Sequence, residues 1–365
     1  MRRESIPPRP DWRRRVEALG FEFHTLDGPY WVDDACYRFT SDQIDAIDDA
    51  TGELHRMCLE AVAHVVRTGE YEPLGLDARA AALVERSWRA NEPALYGRMD
   101  LAFGPDGVPR LLEYNADTPT ALFEASVVQW YWLEDTRAGR DQFNLLHERL
   151  VEHWQQIVPA GSRVHFAGCM DVVEDRVTLE YLAETARQAG VSGTLLDMPD
   201  IGFDQARFVD LDDAPIERLF KLYPWEWMLE EPFAEHLPRV PMQWIEPAWK
   251  QALSNKSLLP LLWRLFPRHP NLLAASHDPN DIDGRMVAKP RFGREGEGVR
   301  VVGSSGAFAS PDVVYQAFAP LHESVAGHAL VGSWVIGDAP AGIGVREDDG
   351  QITTNTSRFV PHCFD

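Results

Sequence analysis

The sequence predicts a mixed fold, part α+β and part α/β, and three observations predict it. Two apolar-flanked segments, Tyr96 to Phe103 and Leu111 to Thr120, read as an antiparallel hairpin turned by Gly104-Pro105-Asp106-Gly107. A stretch after Ser162 alternates strand, helix and strand. The last third is a run of short strands around a glycine-rich turn. With 365 residues, two or three domains are expected, here 1–150, 151–243 and 244–365.

Taken in order, residues 41–69 carry apolar side chains at helical spacing behind a Ser/Asp start, and 77–91 repeat the pattern. The hairpin follows, then a helix through SVVQWYWLED. VHFAGC, RVTLEYLAETARQAG and SGTLLDMP form a βαβ unit whose helix closes at Gly190. Residues 215–247, rich in Trp and Pro, read as a packed connector in which Lys221 has no assigned role. From Trp244 a loop and a helix entered through Ser254-Asn255 precede the strands RMVAKP, VRVV, VVYQAFAPL and ALVGSWVIGDAPAGIGVRED, an antiparallel β layout with flanking helices.

The formal net charge of -22 argues against nucleic acid or an anionic membrane as the main partner, because both need a basic footprint. Cys36, Cys58, Cys169 and Cys363 show no metal or redox spacing and read as reduced thiols, so a cytoplasmic location is expected. The basic start lacks the apolar core of a signal peptide, and no stretch approaches the ~20 apolar residues of a membrane span.

The hairpin carries polar groups where a buried strand should have none. Side chains alternate along a strand, so Arg98 and Asp100 share one face, as do Glu113 and Asn115. If the strands pair, an arginine, two carboxylates and an amide converge. Such a patch suits Mg2+, which is held by one or two carboxylates together with substrate phosphates; it is equally the description of a solvated hairpin face. FGREGEGV places Gly293, Gly296 and Gly298 between two strands, which excludes the dinucleotide and P-loop fingerprints as written. A glycine loop there can still close over a triphosphate through its N–H groups, with Lys256 and Lys289 flanking it.

Together, YGRMD, LLEYNADTPT, SNKSLLPLLW, VAKPRFGREGEGV, YQAF, GIGVRED and SRF resemble the glutathionylspermidine synthase family in the form without an amidase domain, in order and across nearly the whole chain. The resemblance implies an ATP-grasp fold assembled from the N- and C-terminal segments around a central βαβ substrate domain. It implies an ATP- and Mg2+-dependent ligase that joins a small-molecule or peptide carboxylate to an amine through an acyl phosphate. Residue by residue it implies Asp100, Glu113 and Asn115 as Mg2+ ligands and Arg98 and Arg346 as phosphoryl-region arginines. Lys256, Lys289 and the loop glycines would hold ATP phosphates, Gln316 and Ala317 the adenine, and Thr118 and Thr120 would be small-hydroxyl positions near a thiol-peptide substrate.

The pattern departs at Ser357-Arg358, where family members that use a polyamine carry an aspartate, while Glu174 and Asp175 stand near the other polyamine carboxylates. Arg358 then has two readings, a clamp for a carboxylate-bearing amine or a structural salt bridge. Two alternatives to ligation also remain at this stage, a nucleotide-binding homologue without turnover and an ATP-grasp phosphotransferase.

Overall fold

The computed structural model describes residues 1–25, 28–294, 296–303 and 309–365; Glu295 of the glycine loop lies outside them. The chain opens with β1 (Arg2–Ser5), α1 (Trp12–Glu17) and β2 (Ala35–Phe39), followed by the long α2 (Ser41–Thr68) and α3 (Ala78–Arg89). The residue that caps α2 is Thr40 rather than Ser41. Its hydroxyl accepts from the Gln43 N–H at 3.3 Å while Gln43 Oε1 accepts from the Thr40 N–H at 3.2 Å, a capping box that satisfies two otherwise orphaned donors. The buried stripe Ile44, Ile47, Thr51, Leu54, Cys58, Ala61 and Val65 follows the helical period.

Next come β3 (Tyr96–Phe103), β4 (Pro109–Asn115) and α4 (Gln129–Thr136), the last continuing a π-helical turn over Glu124–Val128. The central region holds α5 (Leu146–Ile157), β5 (Arg163–Gly168), α6 (Val173–Gln188) and β6 (Ser192–Asp197). It continues through the short pair β7 (Gly202–Phe203) and β8 (Phe208–Val209), then β9 (Arg218–Leu222), α7 (Trp225–Met228) and β10 (Gln243–Ile245). The remainder is α8 (Leu258–Leu265), β11 (Ala275–Ser276), β12 (Met286–Pro290), β13 (Arg300–Val302) and β14 (Val313–Ala317), then β15 (His322–Ser324), β16 (Gly327–Ile336), β17 (Ala339–Asp348), β18 (Arg358–Val360) and β19 (His362–Phe364).

Three sheets position the site. A six-stranded sheet, β18-β17-β16-β3-β4 with β15 on β16, joins the hairpin to strands more than 200 residues later in the chain. A second antiparallel sheet, β11-β14-β12-β13, carries Lys289 and Gln316. The third, β10-β9-β5-β6, is parallel throughout. The stretch 215–247 is therefore more than a connector, since it supplies β9 and β10. RLFKL is buried along most of its length, as a parallel strand is, but Arg218 and Lys221 interrupt its apolar residues and the Trp- and Pro-rich segment that follows hid the strand further.

Alternation divides the six-stranded sheet. Met99, Leu101, Tyr114, Val331, Ile343 and Val345 face α2 within one apolar core. Thr51 on α2 also meets Ser333 at 2.7 Å. Arg98, Asp100, Leu330, Trp334 and Arg346 alternate with those residues and so take the opposite face. Cys36, Cys58 and Cys363 are buried and all four thiols are free. No described helix is long and apolar enough to cross a membrane.

Candidate functional site

The hairpin register places Arg98 opposite Asn115 and Asp100 opposite Glu113, so the four polar side chains meet on one face. A bulge between Asp100 and Leu101 shifts the register, and pairing resumes at Leu101 opposite Leu111. Arg98 forks onto Asp100, Nε to Oδ1 at 2.7 Å and one terminal nitrogen to Oδ2 at 3.0 Å, while its other nitrogen donates to the Thr120 carbonyl at 2.7 Å. The Asn115 amide donates to Asp100 at 3.2 Å and to Glu113 at 3.3 Å. Gly332 lies opposite Asp100 on β16, and a Cβ there would stand 3.0 Å from Arg98 Cδ, so the missing side chain gives the guanidinium its room.

The second sheet and its approaches close over this face. Lys256, in the turn before α8 rather than inside a helix, lies 3.4 Å from Glu113 and donates to the Gly293 carbonyl at 2.5 Å. Lys289 on β12 is buried and donates to the Leu112 carbonyl at 2.7 Å. The cleft between the sheets, about 80 Å³, is lined by Asp100 and Glu113 on one side and by Lys289, Gln316 and Ala317 on the other. Gly296 also lines it, and Gln316 donates to the Leu111 carbonyl at 2.9 Å. The neighbouring polar chamber of about 290 Å³ holds Arg98, Asp100, Asn115, Thr118, Thr120 and Arg346.

Electrostatics sharpen the picture. Burial would raise the Glu113 carboxyl, but Lys256, Lys289 and Arg98, with the Asn115 amide, outweigh it and bring it to about 2. Burial pushes the Asp100 carboxyl above its usual range, with Arg98 and Arg346 working the other way. Burial also lowers Lys289 to about 8 against the pull of Glu113. Four cations thus act on two carboxylates inside a chain of net charge -22. That local excess, two oxygen-rich ligands and an amide fit a divalent ion shared with a polyphosphate. Among the described residues no group of three His, Cys, Asp or Glu could hold a metal unaided.

Arg346 stacks over the Tyr30 ring at 5.6 Å and donates to the carbonyls of Ser357, Thr354 and Asn355. Thr118 accepts from Arg294 at 2.8 Å, and Arg294 also pairs with Glu226 at 2.6 Å. Arg294, inside the glycine loop, was not singled out from the sequence, where its neighbouring glycines drew the attention.

Arg358 does not join the site. Its register partner is Glu347, so it lies on the sheet face away from Arg346, paired with Glu347 at 3.4 Å and Asp349 at 2.9 Å. This geometry favours the structural salt bridge over the substrate clamp. Gly298 is not among the residues lining the cleft or the polar chamber. Of the two acids at the start of α6, Asp175 lines the polar chamber.

The fold is that of glutathione synthetase-like chains: a glutathione synthetase-like effector from Globodera pallida superposes with a TM-score of 0.59 at 12% identity, covering 99% of this chain and 100% of that one. A family model, glutathionylspermidine synthase preATP-grasp, matches residues 3–365, and the chain belongs to that family. A candidate acid–amine ligase of Haemophilus influenzae is 42% identical over 98% of both chains. Trypanothione synthetase of Crithidia fasciculata is 28% identical over 84% of this chain and 53% of its own length. The bifunctional glutathionylspermidine synthetase/amidase of Escherichia coli is 25% identical over 89% and 58%. The chain spans a little over half the length of these last two relatives.

Proposed function

We propose that the protein is an ATP- and Mg2+-dependent ligase, forming ADP, that joins a carboxylate to an amine through an acyl phosphate. In this reading the N- and C-terminal segments make an ATP-grasp around a central substrate unit near residues 151–243. The observation that carries it is the convergence of Arg98, Asp100, Glu113 and Asn115 with Lys256 and Lys289 across the cleft between two antiparallel sheets.

When bound, Mg-ATP would supply the phosphoryl group that turns a carboxylate oxygen into a leaving group. The chain's own residues position and neutralise. Asp100, Glu113 and Asn115 would hold the metal, Lys256 and Lys289 the phosphates, and Gln316 and Ala317 the base. Gly293 and Gly296 would border the phosphates. Arg98, already fixed by the Thr120 carbonyl, would stabilise the oxygens on which charge develops, and Arg346 lines the same chamber. Thr118 and Thr120, which line the polar chamber, would lie near the acid substrate. Loss of one such donor typically costs ~10²–10³ in turnover.

Calorimetry of ATP binding with and without Mg2+, in the native protein and in Asp100→Ala, tests the site. Mg2+-dependent binding that the substitution weakens is expected; its absence in the native protein overturns the reading. Product analysis then separates ligation, which yields ADP, free phosphate and a new amide, from transfer of phosphate to a hydroxyl.

A further inference from the structure

The parallel sheet is ordered β10-β9-β5-β6, so the chain leaves β5 toward β6 on one side and later fills the other side with β9. The carboxyl ends of β5 and β9 are thus a topological switch point, the crevice where open α/β sheets take ligands. Two cavities open there. One is the polar chamber of Arg98 and Arg346. The other, about 570 Å³, falls in the ~300–1,000 Å³ range of small-molecule sites.

The walls of this second cavity are apolar, with Met198, Phe208, Met228, Leu237 and Trp244 among them. Its charged lining residues are Asp171, Asp197 and Glu231, and no lysine, arginine or histidine lines it among the described residues. Asp197 spends one oxygen on the N–H groups of Met170 and Met198, and Glu231 accepts from the Tyr223 hydroxyl at 2.7 Å. Cys169 and Tyr223 line both cavities, so the contents of the two are one side chain apart.

We propose that this chamber binds the apolar body of the amine substrate, an alkyl or arylalkyl primary amine whose ammonium group is drawn by the surrounding carboxylates. The proposal rests on the ligase reading above. An acid would be repelled by three carboxylates. A polyamine would press further ammonium groups against Met, Phe and Trp side chains, where an unpaired charge is costly. A neutral apolar compound would leave the carboxylates without a counterpart.

Cys169 is a built-in reporter, since it is partly exposed while the other three cysteines are buried. Its alkylation by iodoacetamide is followed by mass spectrometry with hexylamine, hexan-1-ol or putrescine present, alongside calorimetry of each compound. Saturable hexylamine binding that slows Cys169 alkylation at least tenfold is expected, with hexan-1-ol and putrescine at least tenfold weaker. The double variant Asp171→Asn, Glu231→Gln, altered at exposed positions, should erase the preference of hexylamine over hexan-1-ol. Equal binding of hexan-1-ol, tighter binding of putrescine, or no saturable hexylamine binding overturns the proposal. Hexylamine protection in a protein without Mg2+-dependent ATP binding would overturn the ligase reading and leave the chamber standing.

Discussion

Lys289 shows how a single residue of the candidate site can work against its own fold. Its ammonium is buried, holds one carbonyl and sits near Glu113, and burial brings its pKa down to about 8. A folded-state value below the ordinary 10.5 means the unfolded chain binds more protons between the two, so this group's contribution to stability improves as pH rises from about 8 and is unfavourable at neutral pH. Lys289→Met is therefore expected to keep or raise the thermal midpoint while lowering ATP affinity at least tenfold, read by melting and calorimetry. A lowered midpoint would show that the bond to Leu112 outweighs the desolvation. The convergence of the hairpin quartet was legible, because residues at alternate positions on two paired strands share one face. What sequence could not show was the pairing of Asp100 with Arg98, which depends on side-chain rotamers.

At the scale of the strand, one residue of register decides which face Arg358 takes. Val345 pairs with Val360 and Glu347 with Arg358, so Arg358 shares its face with Glu347, a fully buried carboxylate also held by Arg3 and by the Tyr37 hydroxyl at 2.7 Å each. A slip of one position would have turned Arg358 to the face of Arg346. The loop between β17 and β18 sets that register, and no sequence pattern announces it. Arg358→Asp puts a second carboxylate beside Glu347 and is expected to destabilise the fold by more than about 2 kcal/mol in urea unfolding. Arg358→Ala, with Arg3 and Tyr37 retained, should cost about 1 kcal/mol or less, and neither variant should change the affinity for the amine. The βαβ unit, the hairpin and α2 were legible as elements because each carries its own period. β9 was not, because a five-residue buried run has no period to read.

Across the whole molecule, the two ends of the chain close on each other, with β19 parallel to β2 and β1 on its other side. His362 sits inside this closure, accepting at Nε2 from the Phe143 N–H at 3.2 Å and facing Gln129 Oε1 through Nδ1 at 2.9 Å. Burial holds the ring down to about 3. A depressed folded-state value gives stability that is complete above the ordinary 6.5 and is lost as pH falls through 3. The thermal midpoint should drop across that window, and the slope should be shallower in His362→Gln. The same topology has a consequence for biosynthesis. The hairpin of β3 and β4 leaves the ribosome some 220 residues before its neighbour β16 is made. At ~5–20 residues per second the nascent chain waits roughly 10–45 s with one sheet edge open. The strands that complete the cleft are among the last to be translated, so the first half of the site must stay soluble without them, and a chaperone that shields an unpaired strand edge is the helper this order of events calls for.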